Sequence, residues 1–153
     1  LLKVTVPSSY DPIKKTYDDS PQGWDGTFQS EKKWTDNPAW CYYDLLTNPR
    51  YGLGKYIDSS SVDKWSLYEI GKYCDTLVDD GFGGIEPRMT CNVLINSRED
   101  AYKVIRDMAS IFRGITYYGA GTIFSVQDSP KDPFVTFTNA NVVDGNFAYS
   151  SSA

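Results

Sequence analysis

Carboxylates are the side chains in this sequence best suited to do chemistry. Acidic pairs stand at Asp18-Asp19, Asp79-Asp80 and Glu99-Asp100. Two carboxylates facing each other across a cleft, about 5–9.5 Å apart, would suit glycoside hydrolysis. The chain contains no His. That removes Ser-His-Asp and Cys-His nucleophile systems and imidazole-bound metals from this chain, and leaves carboxylate, Lys, Tyr or Cys chemistry. The acidic pairs also have plainer uses. Glu99 and Asp100 fall in the first turn of an expected helix, where negative charge complements the macrodipole. Asp79-Asp80 precedes a glycine-rich turn, where Asp is common.

Metal and phosphate motifs are incomplete. "DTLVDDGFGGIE" has Asp75, Asp79 and Asp80 in acidic surroundings but lacks the alternating spacing of a calcium loop. Cys41, Cys74 and Cys91 are odd in number and contain no Cys-x-x-Cys pair. They read as buried thiols of a protein made in a reducing compartment rather than a zinc site. "GLGKY" is not a phosphate-binding fingerprint. No metal and no cofactor are expected.

Aromatics carry more information. They make up 15% of 153 residues, with 12 Tyr and 4 Trp. Exposed Trp24, Trp34 and Trp65 could form a sugar-binding platform. The commoner use of Trp is as a packing or interface anchor. On that reading Trp24, Trp34, Trp40, Tyr51 and Trp65 are the candidate packing and interface anchors. The formal charge of -5 argues against general nucleic-acid binding, which needs a basic surface. No apolar run reaches transmembrane length.

The elements that must hold these residues can be read in order. Residues 1–33 read as an extended arm or linker from a preceding domain: Leu2, Val4 and Val6 alternate up to Pro7, and a tight turn lies at Trp24-Asp25-Gly26-Thr27. A helix is expected from Asp36 or Asn37, with Pro38 in its first turn and Pro49 at its end. Gly52 and Gly54 then make a fixed corner after Tyr51. Ser60 and Asp63 have capping-box spacing before a second helix striped by Leu67, Ile70, Cys74 and Leu77. "RMTCNVLIN" alternates like a strand, with Met89, Cys91, Val93 and Ile95 on one face. A third helix is expected with Ser97 as cap and Asp100 completing the box. Its apolar face comprises Ala101, Val104, Ile105, Met108, Ile111 and Phe112, and Gly114 is placed as its left-handed cap. A hairpin follows through Gly119-Ala120-Gly121, then strands at "FVTFT" and "NFAYS" around an Asp144-Gly145 turn. The fold class is therefore α+β, with three helices packed on a mostly antiparallel β-sheet. Residues 34–153 form the domain and 1–33 its arm. The chain opens on Leu within a strand-like run and reads as a piece of a longer polypeptide.

Six stretches then add a specific likeness: "WDGTF" (24–28), "TDNPAW" (35–40), "DLLTNPRYGLG" (44–54), "DKWSLYEIGKYCD" (63–75), "DGFGGIEPRMTCN" (80–92) and "DMASIFRG" (107–114). In these the sequence resembles the tail-tip host-specificity protein J family of lambda-like phages with long non-contractile tails, in its central hub-like region. The resemblance implies a structural part of a phage or prophage tail tip, akin to the baseplate hub domains of contractile tails. It implies assembly in the bacterial host cytoplasm and residence in the virion. Implied partners are other tail-tip proteins, two further copies in a homotrimer, and phage DNA that passes without specific binding. The host receptor would be met by regions outside this chain. No catalytic residue is implied, and the net negative charge would repel passing DNA.

Overall fold

The computed structural model describes residues 2–19, 21–95, 100–145 and 150. Its elements run β1 (Tyr10–Asp11), β2 (Thr16–Tyr17), α1 (Pro38–Thr47), α2 (Lys64–Asp75), β3 (Leu77–Asp79), β4 (Ile85–Pro87), α3 (Ala101–Ile111), β5 (Gly114–Gly119) and β6 (Thr122–Gln127), with short 3-10 turns at Ser59–Ser61 and Val143–Gly145. The class is α+β with three helices, as expected. The strands do not join one sheet. Among the described residues they form three separate antiparallel pairs, β1-β2, β3-β4 and β5-β6.

Each helix begins where a side chain can satisfy its free N–H groups. Asn37 caps α1 by accepting from the Ala39 N–H at 3.0 Å, with Pro38 as first residue. Asp63 caps α2, accepting from Trp65 and Ser66. Ser60 plays no part there; it lies in the 3-10 turn, which Asp58 caps. Asp100 itself caps α3, accepting from Tyr102 and Lys103. The expected cap Ser97 lies outside the described residues. Leu67, Ile70 and Cys74 are buried as the stripe predicts, but α2 ends at Asp75 and Leu77 is exposed on β3. The α3 face holds for Met108 and Phe112, which are buried, while Ala101 is exposed.

The left-handed residue after α3 is Arg113, with φ 56°, not Gly114. Gly114 is required for another reason: a β-carbon there would overlap the Phe112 ring. The β5-β6 hairpin turns through Ala120 and Gly121, both at positive φ, the pattern of a type I′ turn whose twist suits the flanking strands.

Two expected strands are absent. Residues 88–95 belong to no ladder; they are held by single bonds from Arg88 N–H to Thr76, Met89 N–H to Cys74 and Cys91 N–H to Asp36. Residues 134–138 carry no strand. "NFAYS" lies outside the described residues except for Ser150.

Residues 4–33 fold back on themselves. Val4 and Lys33 exchange backbone bonds of 2.8 and 3.0 Å, Gln29 N–H donates to Val6, and Ser8 N–H donates to Thr27. Val4, Val6, Tyr10 and Trp24 are buried in the same core as Trp40, Tyr42, Leu46 and Leu67. The stretch read as an arm thus supplies one wall of the core formed with α1 and α2.

Candidate functional site

Helix α1 and the corner after it position the most distinctive side chains. Trp40 is fully buried and its Nε1 donates to the Tyr17 hydroxyl at 3.0 Å. Around it Trp24 stacks on Tyr68 with ring centroids 4.7 Å apart, and Phe28 stacks on Tyr43 at 4.8 Å. Trp65 meets Trp24 edge-on at 5.2 Å, and the Lys64 ammonium sits over the rings of Trp24, Phe28 and Trp65. Such pairs add about 0.5–1.5 kcal/mol each beyond the area they bury. Trp24 and Trp40 are therefore core anchors and are not available to a flat sugar face. Trp65 is 52% exposed at the edge of this cluster.

Trp34 and Tyr51, 45% and 43% exposed, lie elsewhere. They line a groove of about 640 Å³ between the N-terminal strand-like run, α1 and residues 91–95. Leu2, Val93, Leu94 and Ile95 share its rim, and Cys41, Leu45, Cys91 and Met108 its floor. The structure thus separates the five expected anchors: two in the core, one at the core's edge and two on the groove.

Asp44 was not singled out in the sequence, yet it is the polar centre of this region. Its buried carboxylate accepts from the Thr5 N–H and hydroxyl at 3.1 Å, from Lys32 Nζ at 2.8 Å, from Asn48 Nδ2 at 3.1 Å, and from the Tyr51 hydroxyl. Burial alone would raise its pKa; the bonds from Lys32, Tyr51, Thr5 and Asn48 outweigh that and hold it below the ordinary carboxylate value. One charge thereby ties the N-terminal run to α1 and to the corner. The only signal in the sequence was an acidic residue inside the otherwise apolar helical run "AWCYYDLL".

The corner itself is built against the end of α1. Leu53 N–H donates to Leu45 at 2.9 Å, and Gly52 and Gly54 both donate to Asn48. A β-carbon at Gly52 or Gly54 would overlap the carbonyl of Leu45 or Thr47. Close backbone approach, not a left-handed φ, requires these two glycines.

A second buried acid sits where α1 meets α2. Asn37 Nδ2 donates to the Gly71 carbonyl at 2.9 Å and to Asp75 Oδ2 at 2.7 Å, and the Tyr17 hydroxyl donates to the same oxygen at 3.2 Å. Asp75 Oδ1 has no hydrogen-bond partner, with Lys15 Nζ at 3.7 Å. Burial raises its pKa against the opposing pull of Asn37, Tyr10, Lys15 and Tyr17. On the opposite flank Asp19 accepts from Lys72 and from Tyr68, whose hydroxyl is pushed up to about 12 by burial and by that carboxylate. These carboxylates work as fasteners between elements. Among the described residues no group of three or more His, Cys, Asp or Glu side chains could hold a metal ion. No helix among them is long and apolar enough to cross a membrane.

No family model matches the chain. Against known proteins it aligns over 150 residues, 98% of its length, with 49% identity to a protein of Escherichia phage SECphi27. The chain is similar to a segment of tip attachment protein J. The tip attachment protein J of Escherichia phage SECphi4 is 43% identical over 152 residues, 99% of the chain. The segment makes up 12% and 13% of these two tip attachment proteins, so the chain spans about an eighth of their length.

Proposed function

We propose that this chain is a structural, interaction-making section of a phage or prophage tail tip, within a tip attachment protein, and that it performs no catalysis. The observation that carries this is the 49% identity to a tip attachment protein across 98% of the chain. Its carboxylates support the reading, since Asp19, Asp44 and Asp75 are engaged in joining elements rather than facing each other across a cleft. In the tip, residues 34–153 would act as a domain of baseplate-hub type and residues 1–33 as the arm packed on it. The parent would assemble in the bacterial cytoplasm as a homotrimer with other tail-tip proteins, and would serve host attachment and DNA passage. Receptor contact would fall to regions outside this chain.

The groove is the surface most suited to holding a neighbouring part of the tip, because apolar cores with aromatic anchors carry most interface energy. Replacing two exposed rim residues, Trp34→Asp and Leu94→Asp, in the parent gene tests this. The expected outcome is a chain that still folds, with tails that lack complete tips and a loss of infectious particles. Normal tips and normal infectivity would contradict it.

A further inference from the structure

Two of the three thiols meet on the groove floor. Cys41 lies one turn into α1, its N–H bonded to the Asn37 carbonyl at 3.1 Å. Cys91 lies on the segment opposite, its N–H bonded to the Asp36 carbonyl at 2.6 Å. These two bonds anchor both backbones to adjacent residues, 36 and 37. The side chains both line the same groove and perturb each other's ionisation, and the Cys41 thiol donates to the Thr35 carbonyl at 3.6 Å. Cys74 is buried within the helix core and does not line the groove.

We infer that Cys41 and Cys91 form a dithiol that closes to a disulfide on exposure to a low-molecular-weight disulfide oxidant, fastening residues 88–95 to α1. The segment 88–95 has reason to need such a fastener, because it belongs to no sheet and is held by isolated backbone bonds. The resulting loop would enclose α2 and β3-β4, and the rim residues Val93–Ile95 would be tied to the groove floor. It is independent of the tail-tip reading.

The two thiols are unequal. Cys91 is held below the ordinary thiol value by the hydrogen bond from Cys41, against burial and the nearby Asp36 carboxylate. Cys41 is raised by that same contact and by burial. Cys91 is therefore the attacking thiolate. It displaces one thiolate from oxidised glutathione and becomes a mixed disulfide. The Cys41 thiol then gives up its proton, attacks the Cys91 sulfur and releases the second glutathione. Overall two protein thiols and one oxidised glutathione become one protein disulfide and two reduced glutathiones.

The test uses the full chain, treated with oxidised glutathione, quenched with an alkylating agent, and examined by intact mass and non-reducing peptide mapping. The expected result is a wild-type chain lighter by two hydrogens, carrying a Cys41–Cys91 linked peptide, with Cys74 unlinked. Its Tm should lie above that of the reduced chain by roughly 5 °C or more. Cys41→Ser should trap glutathione on Cys91, whereas Cys91→Ser should leave Cys41 free. A stable glutathione adduct on the wild-type chain, a link to Cys74, or retention of all three free thiols would each overturn the inference. The wild-type result decides it even where a variant folds poorly.

Discussion

At the scale of single residues, Asp44 and Asp75 are two buried carboxylates with opposite consequences. Asp44 has a partner for each oxygen, and its pKa is lowered mainly through Lys32 and Tyr51 against the cost of burial. Asp75 has one oxygen without a hydrogen bond, and burial raises its pKa. Asp44→Ala should destabilise the chain by about 2–4 kcal/mol at neutral pH, because it leaves the half-buried Thr5 N–H and the buried Asn48 amide unpaired. Lys32 is partly exposed and can regain water, so the loss is less than that of a fully buried ion pair. Asp75→Asn should cost less than about 1 kcal/mol at neutral pH, or stabilise, because it removes a poorly satisfied buried charge.

The pH dependence separates the two sites. A lowered folded pKa means that the stability from Asp44 is present above its ordinary value of 3.8 and is lost as pH falls through the folded value. A raised folded pKa means that Asp75 favours the fold most below 3.8 and loses that contribution as pH rises through its folded value. Urea unfolding of wild type and both variants, at neutral pH, near pH 3.8 and below it, measures this. Equal losses for both variants at neutral pH would contradict the assignment.

At the scale of elements, the contact between α1 and α2 turns on a glycine. A β-carbon on Gly71 would lie 2.8 Å from the Tyr17 hydroxyl and 3.1 Å from Trp40 Nε1. That hydroxyl cannot swing aside freely, since it is bonded to Asp75, Trp40 and Asn37. Gly71→Ala should therefore destabilise by about 1–3 kcal/mol through overpacking, although helix propensity alone would favour Ala by about 1 kcal/mol. Thermal or urea unfolding decides the sign, and a stabilised variant would show that the helices are free to part.

The three helices and the hairpin were legible in the sequence because their signals are local: Asn37 before Pro38 in a first turn, an apolar stripe, and Gly119-Ala120-Gly121 at a tight loop. Ser60 and Ser97 were read as caps where Asp63 and Asp100 take that role. The alternation at residues 88–95 misled because Met89 and Cys91 face the core without any neighbouring strand to pair with. Alternation reports which side is covered and does not report a hydrogen-bond ladder. At "FVTFT" the alternation reports nothing, because residues 134–138 are all exposed. Gly114 was read as a cap by position, whereas the Phe112 ring is what demands it.

At the scale of the whole molecule, the part least legible was how residues 4–33 join the core. Val4, Val6, Tyr10 and Trp24 meet residues far along the chain, and no local spacing encodes such contacts. Asp44 escaped notice for the same reason, since its partners Thr5, Lys32 and Tyr51 come from three separate stretches. Trp34 and Tyr51 were singled out by type, but only the folded chain places them together on one groove. What the molecule presents is a core fastened by buried acids and aromatic pairs, with an apolar groove on its surface, which suits a part of a larger assembly.

The most direct test is immunogold electron microscopy. Antibody raised against residues 1–153 would be applied to particles of the encoding phage, or to those released by inducing its prophage, both intact and partly disassembled. Label confined to one tail end, on intact particles or on opened tips, is the predicted result. Absence of label from every particle and subassembly, in cells shown to express the protein, would contradict the tail-tip account.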